Sequence, residues 1–224
     1  MQTTTMKEGD KQLRDAVLRH LDWEPEIVST DISVAANDGV VTLTGFVHTY
    51  AEKSEAEKAA KSVYGVKAVA NDIEVKPGTS RSDPEIARDI IHAMKINVVV
   101  PDADIKVTAR DGYITLEGKV EWQYQRSAAE SCARNVAGVR GVTNSIQVKP
   151  KPAPASSTDV RAKIEDALRR SAEVDARRIN VWVHDGTVDL YGNVRSWFER
   201  DEAERAAWAA PGVSKVLDHI TVVP

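Results

Sequence analysis

Three stretches of eleven residues repeat one pattern: NDGVVTLTGFV (37–47), RDGYITLEGKV (110–120) and HDGTVDLYGNV (184–194). Gly39, Gly112 and Gly186 lie 73 and 74 residues apart, and so do Gly45, Gly118 and Gly192, and again Gly65, Gly138 and Gly212. Three landmarks sharing one period define a tandem repeat, and this period is too long for a solenoid unit and long enough for a small domain. The expectation is three copies of one domain, at about 10–77, 83–150 and 158–223.

The seams agree with that division. KPGTSRSDP (76–84) and KPKPAPASST (149–158) are rich in Pro, Gly and Ser, and the second is expected to be a semi-extended spacer. With 42% hydrophobic and 29% charged residues, the composition is that of a soluble globular chain. No run approaches the roughly 18 apolar residues of a membrane span. The first 25 residues carry no apolar signal-peptide core. The chain as written is therefore expected in the cytosol, and in the periplasm if a leader has been removed. A single cysteine excludes an internal disulfide. Net charge is −4 over residues 1–77, +1 over 78–150 and −1 over 151–224, so no copy has the basic footprint of a nucleic-acid-binding domain.

Each copy opens with apolar residues at helical spacing: Leu13, Val17, Leu18 and Leu21; Ile86, Ile90 and Ile91; Val160, Ile164 and Leu168. SDPEI (82–86) and STDV (157–160) supply N-caps, with Pro84 in a first turn. A hairpin follows, its first strand marked by Ile32/Val34, Ile105/Val107 and Ile179/Val181, and its Asp-Gly turn by Gly39, Gly112 and Gly186. In the second strand Val41, Leu43 and Val47 point inward, and Gly45 occupies an inward place without a side chain. Its recurrence as Gly118 and Gly192 predicts a bulge or a helix packed close against the sheet. An alanine-rich helix face comes next, on Ala56, Ala59 and Ala60, on Ala129, Cys132 and Ala133, and on Ala203, Ala206 and Ala207. Gly65, Gly138 and Gly212 are read as its C-caps, before a last strand carrying Ile73, Ile146 or Ile220. The fold class is α+β, three tandem αββαβ units, each a three-stranded sheet with two helices on one face.

The ordered pieces DGVVTLTGFV…YGVKAVANDIEV, DGYITLEGKV…AGVRGVTNSIQV and DGTVDLYGNV…PGVSKVLDHITV resemble the BON (bacterial OsmY and nodulation) domain, over nearly the whole chain. The resemblance implies an αββαβ fold, no known catalysis, and a stress-associated role in binding phospholipid or holding proteins at membranes; no cofactor is expected.

The residues themselves assemble no catalytic constellation. Cys132 takes the slot of Ala59 and Ala206 and reads as a small packed hydrophobe. The five histidines have no ligand spacing. Aromatic residues cluster between the second strand and the alanine-rich helix, in HTYAEK (48–53), EWQYQR (121–126) and RSWFER (195–200). There Tyr50, Trp122, Tyr124, Trp197 and Phe198, beside Arg126 and Arg200, either meet a lipid headgroup boundary or form a hydrophobic staple closing the helix. In copy three Trp182, Tyr191 and Trp208 stand where the sister copies hold small, polar or charged residues, which points to a surface covered by a partner or by a neighbouring copy. The two functions left open are a binding scaffold for a phospholipid surface or membrane-associated protein, and a protein–protein adaptor or holdase without lipid affinity.

Overall fold

The computed structural model describes residues 8–151, 156–171 and 175–223, so part of the second spacer, 152–155, lies outside the described residues. Copy one runs α1 (Glu8–Trp23), β1 (Ile32–Asn37), β2 (Val40–Val47), α2 (Tyr50–Ser62) and β3 (Ala68–Val75). Copy two repeats the order as α3 (Asp83–Ile96), β4 (Ile105–Arg110), β5 (Tyr113–Val120), α4 (Gln123–Arg134) and β6 (Gly141–Val148). Copy three does so as α5 (Ser157–Arg170), β7 (Ile179–His184), β8 (Thr187–Val194), α6 (Trp197–Trp208) and β9 (Lys215–Val222). A 3-10 turn joins the first helix of each copy to its hairpin. The sheet order is β1-β2-β3 and its equivalents, with the hairpin antiparallel and the last pair parallel across the second helix.

Each copy is the expected αββαβ unit with its own core. In copy one Val17 and Leu21 of α1, Val41 and Leu43 of β2, Ala56 and Ala60 of α2 and Ile73 of β3 are all buried. Small side chains on α2 let it lie close to the sheet, and the large ones come from α1 and the strands. In α3 the buried stripe is Ile86, Ile90 and Met94, and Ile91 is exposed. That corrects the expected stripe: residue 91 sits about 100° around the helix from residue 90, whereas steps of four stay on one face. The cap of α5 is Ser156, one residue ahead of STDV, its hydroxyl accepting from Asp159 N–H at 3.2 Å. Ser82 caps α3 as expected, its N–H donating to Glu85 at 2.9 Å.

Two glycine positions work differently from their sequence reading. At Gly45 the strand register is unbroken, with Ile32 opposite, so there is no bulge. Nor does a helix press on it. A Cβ would collide with the carbonyl oxygen of Asp31, in the 3-10 turn leading into β1, and φ is +122°. Gly118 and Gly192 meet the Asp104 and Arg178 carbonyls in the same way. The second helices also end before their supposed cap glycines. α2 stops at Ser62, and Gly65 at φ +96° occupies the third place of a turn closed by Val66 N–H to Val63 O at 3.3 Å. That place in a type II turn requires positive φ.

The hairpin turn has a support that the sequence reading missed. Asp38 and Asp111 adopt φ near +50°, and their N–H groups donate to Asp10 and Asp83, in the first turns of α1 and α3, at 2.8 and 2.9 Å. A second device guards the exposed sheet edge. Asn71, Asn144 and Asp218 accept the N–H two residues ahead on their own strand, at 3.3, 3.2 and 2.8 Å. A backbone donor already occupied cannot pair with a foreign strand.

Candidate functional site

The second helices bring the copies together. Tyr50 opens α2 and packs against the core of copy two, and Ser54 one turn on accepts from Arg134, the last residue of α4, at 3.0 Å. Trp208, the last residue of α6, packs against copy two as well as its own copy. Trp197, the first residue of α6, packs against the core of copy one, with the Lys61 ammonium 5.0 Å from its ring centroid. Copy one therefore meets copy two, two meets three, and three returns to one. Heterologous contacts of one sense that close on themselves make a ring with pseudo-threefold symmetry.

This arrangement redistributes the aromatic candidates. Tyr50, Trp197 and Trp208 lie in joints between copies, so for Trp208 the cover is a neighbouring copy. Trp122 is half-buried and stacks on Tyr124, their centroids 6.3 Å apart, while Tyr124 and Phe198 are exposed. Arg126 and Arg200 turn inward to their own edge strands: Arg126 Nη2 donates to Asn144 O at 3.1 Å, and Arg200 Nε to Asp218 at 2.6 Å. The helix starts carry side-chain caps. Thr49 and Ser196 accept from Glu52 and Glu199 N–H at 3.1 and 3.2 Å, and Gln125 accepts from Trp122 N–H at 3.0 Å. The T-x-x-E and S-x-x-E spacings of 49–52 and 196–199 carried that signal.

Copy three presents a different surface on the outer face of its sheet. Trp182 is 61% exposed, and Tyr191 stacks flat on His219 at 4.7 Å. Asp189 sits among them, 3.4 Å from His184 Nδ1 and 3.7 Å from His219 Nε2. No group of three or more potential metal ligands comes together among the described residues. Cys132 is half-buried, its sulfur meeting Asn97 Nδ2 at 3.4 Å.

A further cluster escaped the sequence reading. After the first helix, copy one exposes Trp23 (82%) and Val28, and copy two exposes Ile96 (68%), Val98 (100%) and Val99. Trp23 and Ile96 are one repeat apart, and the third position of the set is Arg170. Trp23 and Ile96 thus end the first helix of their copies at equivalent places. Their apolar character was legible, but Ile96 and Trp23 end helices whose other apolar residues turn inward.

Two carboxyl groups near the joints feel their surroundings. Burial pushes the Glu57 carboxyl up, but hydrogen bonds from Lys61 and Asn71 and the charges of Lys61 and Lys53 outweigh it and hold the group below the ordinary carboxylate value. Asp201, on the first turns of α6, is raised, chiefly by partial burial, with Glu204 and Asp218 adding to the rise against Lys61 and Arg200.

The fold defines a class of protein built from one small αββαβ module repeated three times. The family model for the BON domain matches residues 9–77, 82–150 and 156–224, and the chain belongs to that family. It is 39% identical over 129 residues to osmotically-inducible protein Y of Escherichia coli (strain K12), a match covering 55% of this chain and 64% of that relative, less than two thirds of its length. It is 28% identical over 145 residues to the outer membrane lipoprotein DolP of Haemophilus influenzae, covering 62% of this chain and 75% of the relative. Among solved structures, CdsD, a structural protein of the type III secretion system of Chlamydia trachomatis, aligns over 95% of this chain and 93% of its own at 15% identity and a TM-score of 0.26, too loose a likeness to bear on function. Among the described residues no helix is long and apolar enough to cross a membrane.

Proposed function

We propose that this protein is a non-catalytic BON scaffold that associates with a phospholipid surface under osmotic or envelope stress. The observation that carries this reading is the recurrence of large exposed apolar side chains, Trp23 with Val28 and Ile96 with Val98, in equivalent loops of the ring. Scattered apolar residues on a surface need no explanation, but the same loop exposing them in two copies does. Asp22, Glu24 and Glu26 crowd Trp23, so insertion of apolar side chains, rather than attraction to anionic lipid, supplies the affinity. A relative described as an outer membrane lipoprotein favours the periplasmic alternative over the cytosolic one.

Liposome co-sedimentation at two salt concentrations tests the reading. Each large apolar side chain buried in the interface contributes about 1.5–3 kcal/mol, so Trp23→Ser with Val98→Asp is expected to weaken binding more than tenfold, with little response to salt. A variant that sediments like the parent protein overturns it.

A second reading rests on the sheet face of copy three. Trp182, Tyr191 and His219 form an exposed aromatic surface of the kind protein contacts use. An adaptor working through that face would stay in the supernatant, apart from the vesicles, at both salt concentrations.

A further inference from the structure

Between copies one and two lies a groove of about 940 Å3, within the usual range for a small-molecule site. Tyr50 and Lys53 from the start of α2 and the edge of β3 form one wall, and Tyr113 and Arg140 form the other. The two walls come from different copies, so neither copy alone carries the site. Tyr113 is particular to this joint. Its ring lies over Gly141, where a Cβ would come within 2.9 Å of it, and the equivalent strand pairs are Val40 with Ala68 and Thr187 with Lys215.

The cations of the groove differ from their counterparts elsewhere. Lys53 stands at the repeat position of Arg126 and Arg200, both of which hold their own edge strands. Among the described residues neither the Lys53 ammonium nor the Arg140 guanidinium makes an ion pair or a side-chain hydrogen bond, although the Lys53 charge helps keep Glu57 ionised. Of the lining carboxylates, Glu74 is already paired with Lys76 at 3.1 Å, which leaves Asp72 against two cations on opposite walls. An added peptide strand fits poorly, because the Ile73 N–H on that edge is occupied by Asn71.

We propose that this groove binds a phosphate group, held between Lys53 and Arg140 with the tyrosine hydroxyls as further donors. A guanidinium and an ammonium approaching from two sides match the several acceptor oxygens of phosphate, and the tyrosine rings flank whatever the phosphate is attached to. The phosphate comes either from solution or from a lipid headgroup, and the inference stands apart from the reading of the apolar tips.

The test is calorimetry of the full chain with inorganic phosphate, alongside co-sedimentation with phosphatidylglycerol vesicles. Each lost charged hydrogen-bond donor is expected to weaken phosphate about tenfold, so Lys53→Gln with Arg140→Gln should reduce binding about a hundredfold while circular dichroism stays unchanged. If that pair lowers binding to vesicles alone, the source is a headgroup; if it lowers both, soluble phosphate is also a ligand. The tip variant Val98→Asp is expected to leave binding of free phosphate intact, which separates failure of the two readings. Unchanged binding in the double variant, or no binding of either probe by the parent protein, overturns the proposal.

Discussion

The joint between copies one and two and the joint between copies three and one use corresponding ends of corresponding helices, yet they are built differently. At the first, Arg134 reaches Ser54, Tyr50 covers part of copy two, and an open polar groove remains. At the other, half-buried Trp197 packs against the cores of both copies three and one, with the Lys61 ammonium 5.0 Å and the Arg200 guanidinium 4.8 Å from its ring centroid. The difference follows from the chain. Copies one and two are consecutive, and a short linker holds them at high effective concentration, so their interface can stay polar and leave room for a ligand. Copies three and one have no direct link, and their contact must be stabilised by its own side chains. An aromatic anchor packed against the neighbouring core beside cations is one way to do so.

The largest way to break this comparison is to remove copy three from the ring altogether. Gly192→Val would drive a side chain into the Arg178 carbonyl at a φ of +144°, and it is expected to unfold copy three at a cost of at least about 3 kcal/mol. Thermal unfolding should show copy three melting ahead of the rest. Melting like the parent protein would mean that the close approach at Gly192 is relieved by a small backbone shift.

A sharper test compares the two joints directly. Trp197→Ala is expected to weaken the closing joint by about 2–4 kcal/mol, as loss of an aromatic anchor does, whereas Arg134→Ala should cost about 1 kcal/mol or less. Small-angle scattering reads the outcome as an increase in the radius of gyration for the first variant and none for the second. Equal compactness of the two would show that the joints are energetically alike.

The smallest effect is a pH dependence confined to the closing joint. Folding raises the Asp201 carboxyl, so its ionised form costs stability at neutral pH, and that cost disappears as pH falls through the raised value toward the ordinary carboxylate range. Glu57, which is lowered, contributes stability above the ordinary value that is lost only at more acidic pH, as it protonates through its lowered value. The joint is therefore expected to tighten first on mild acidification. Asp201→Asn should remove that response and change stability by no more than about 0.5 kcal/mol. A variant whose melting temperature keeps the parent's rise on mild acidification would place the response elsewhere.

Sequence alone determined the repeat, the αββαβ order and most of the core, because each is written in local periodicity: apolar residues in steps of four for α1, in steps of two for β2, and small residues down one face of α2. It also determined where glycine is needed, at Gly45 and Gly65, but not what makes it necessary. A carbonyl in a preceding 3-10 turn and a turn that directly follows a helix end are relations between segments, and spacing along the chain does not express them. Closure of the ring was decided only in three dimensions. Tyr50, Trp197 and Trp208 each look like a surface aromatic beside polar neighbours, and part of what covers each of them is another copy. The groove is of the same kind: Lys53 and Arg140 lie in different copies, and they line one groove only because the end of α4 meets the start of α2.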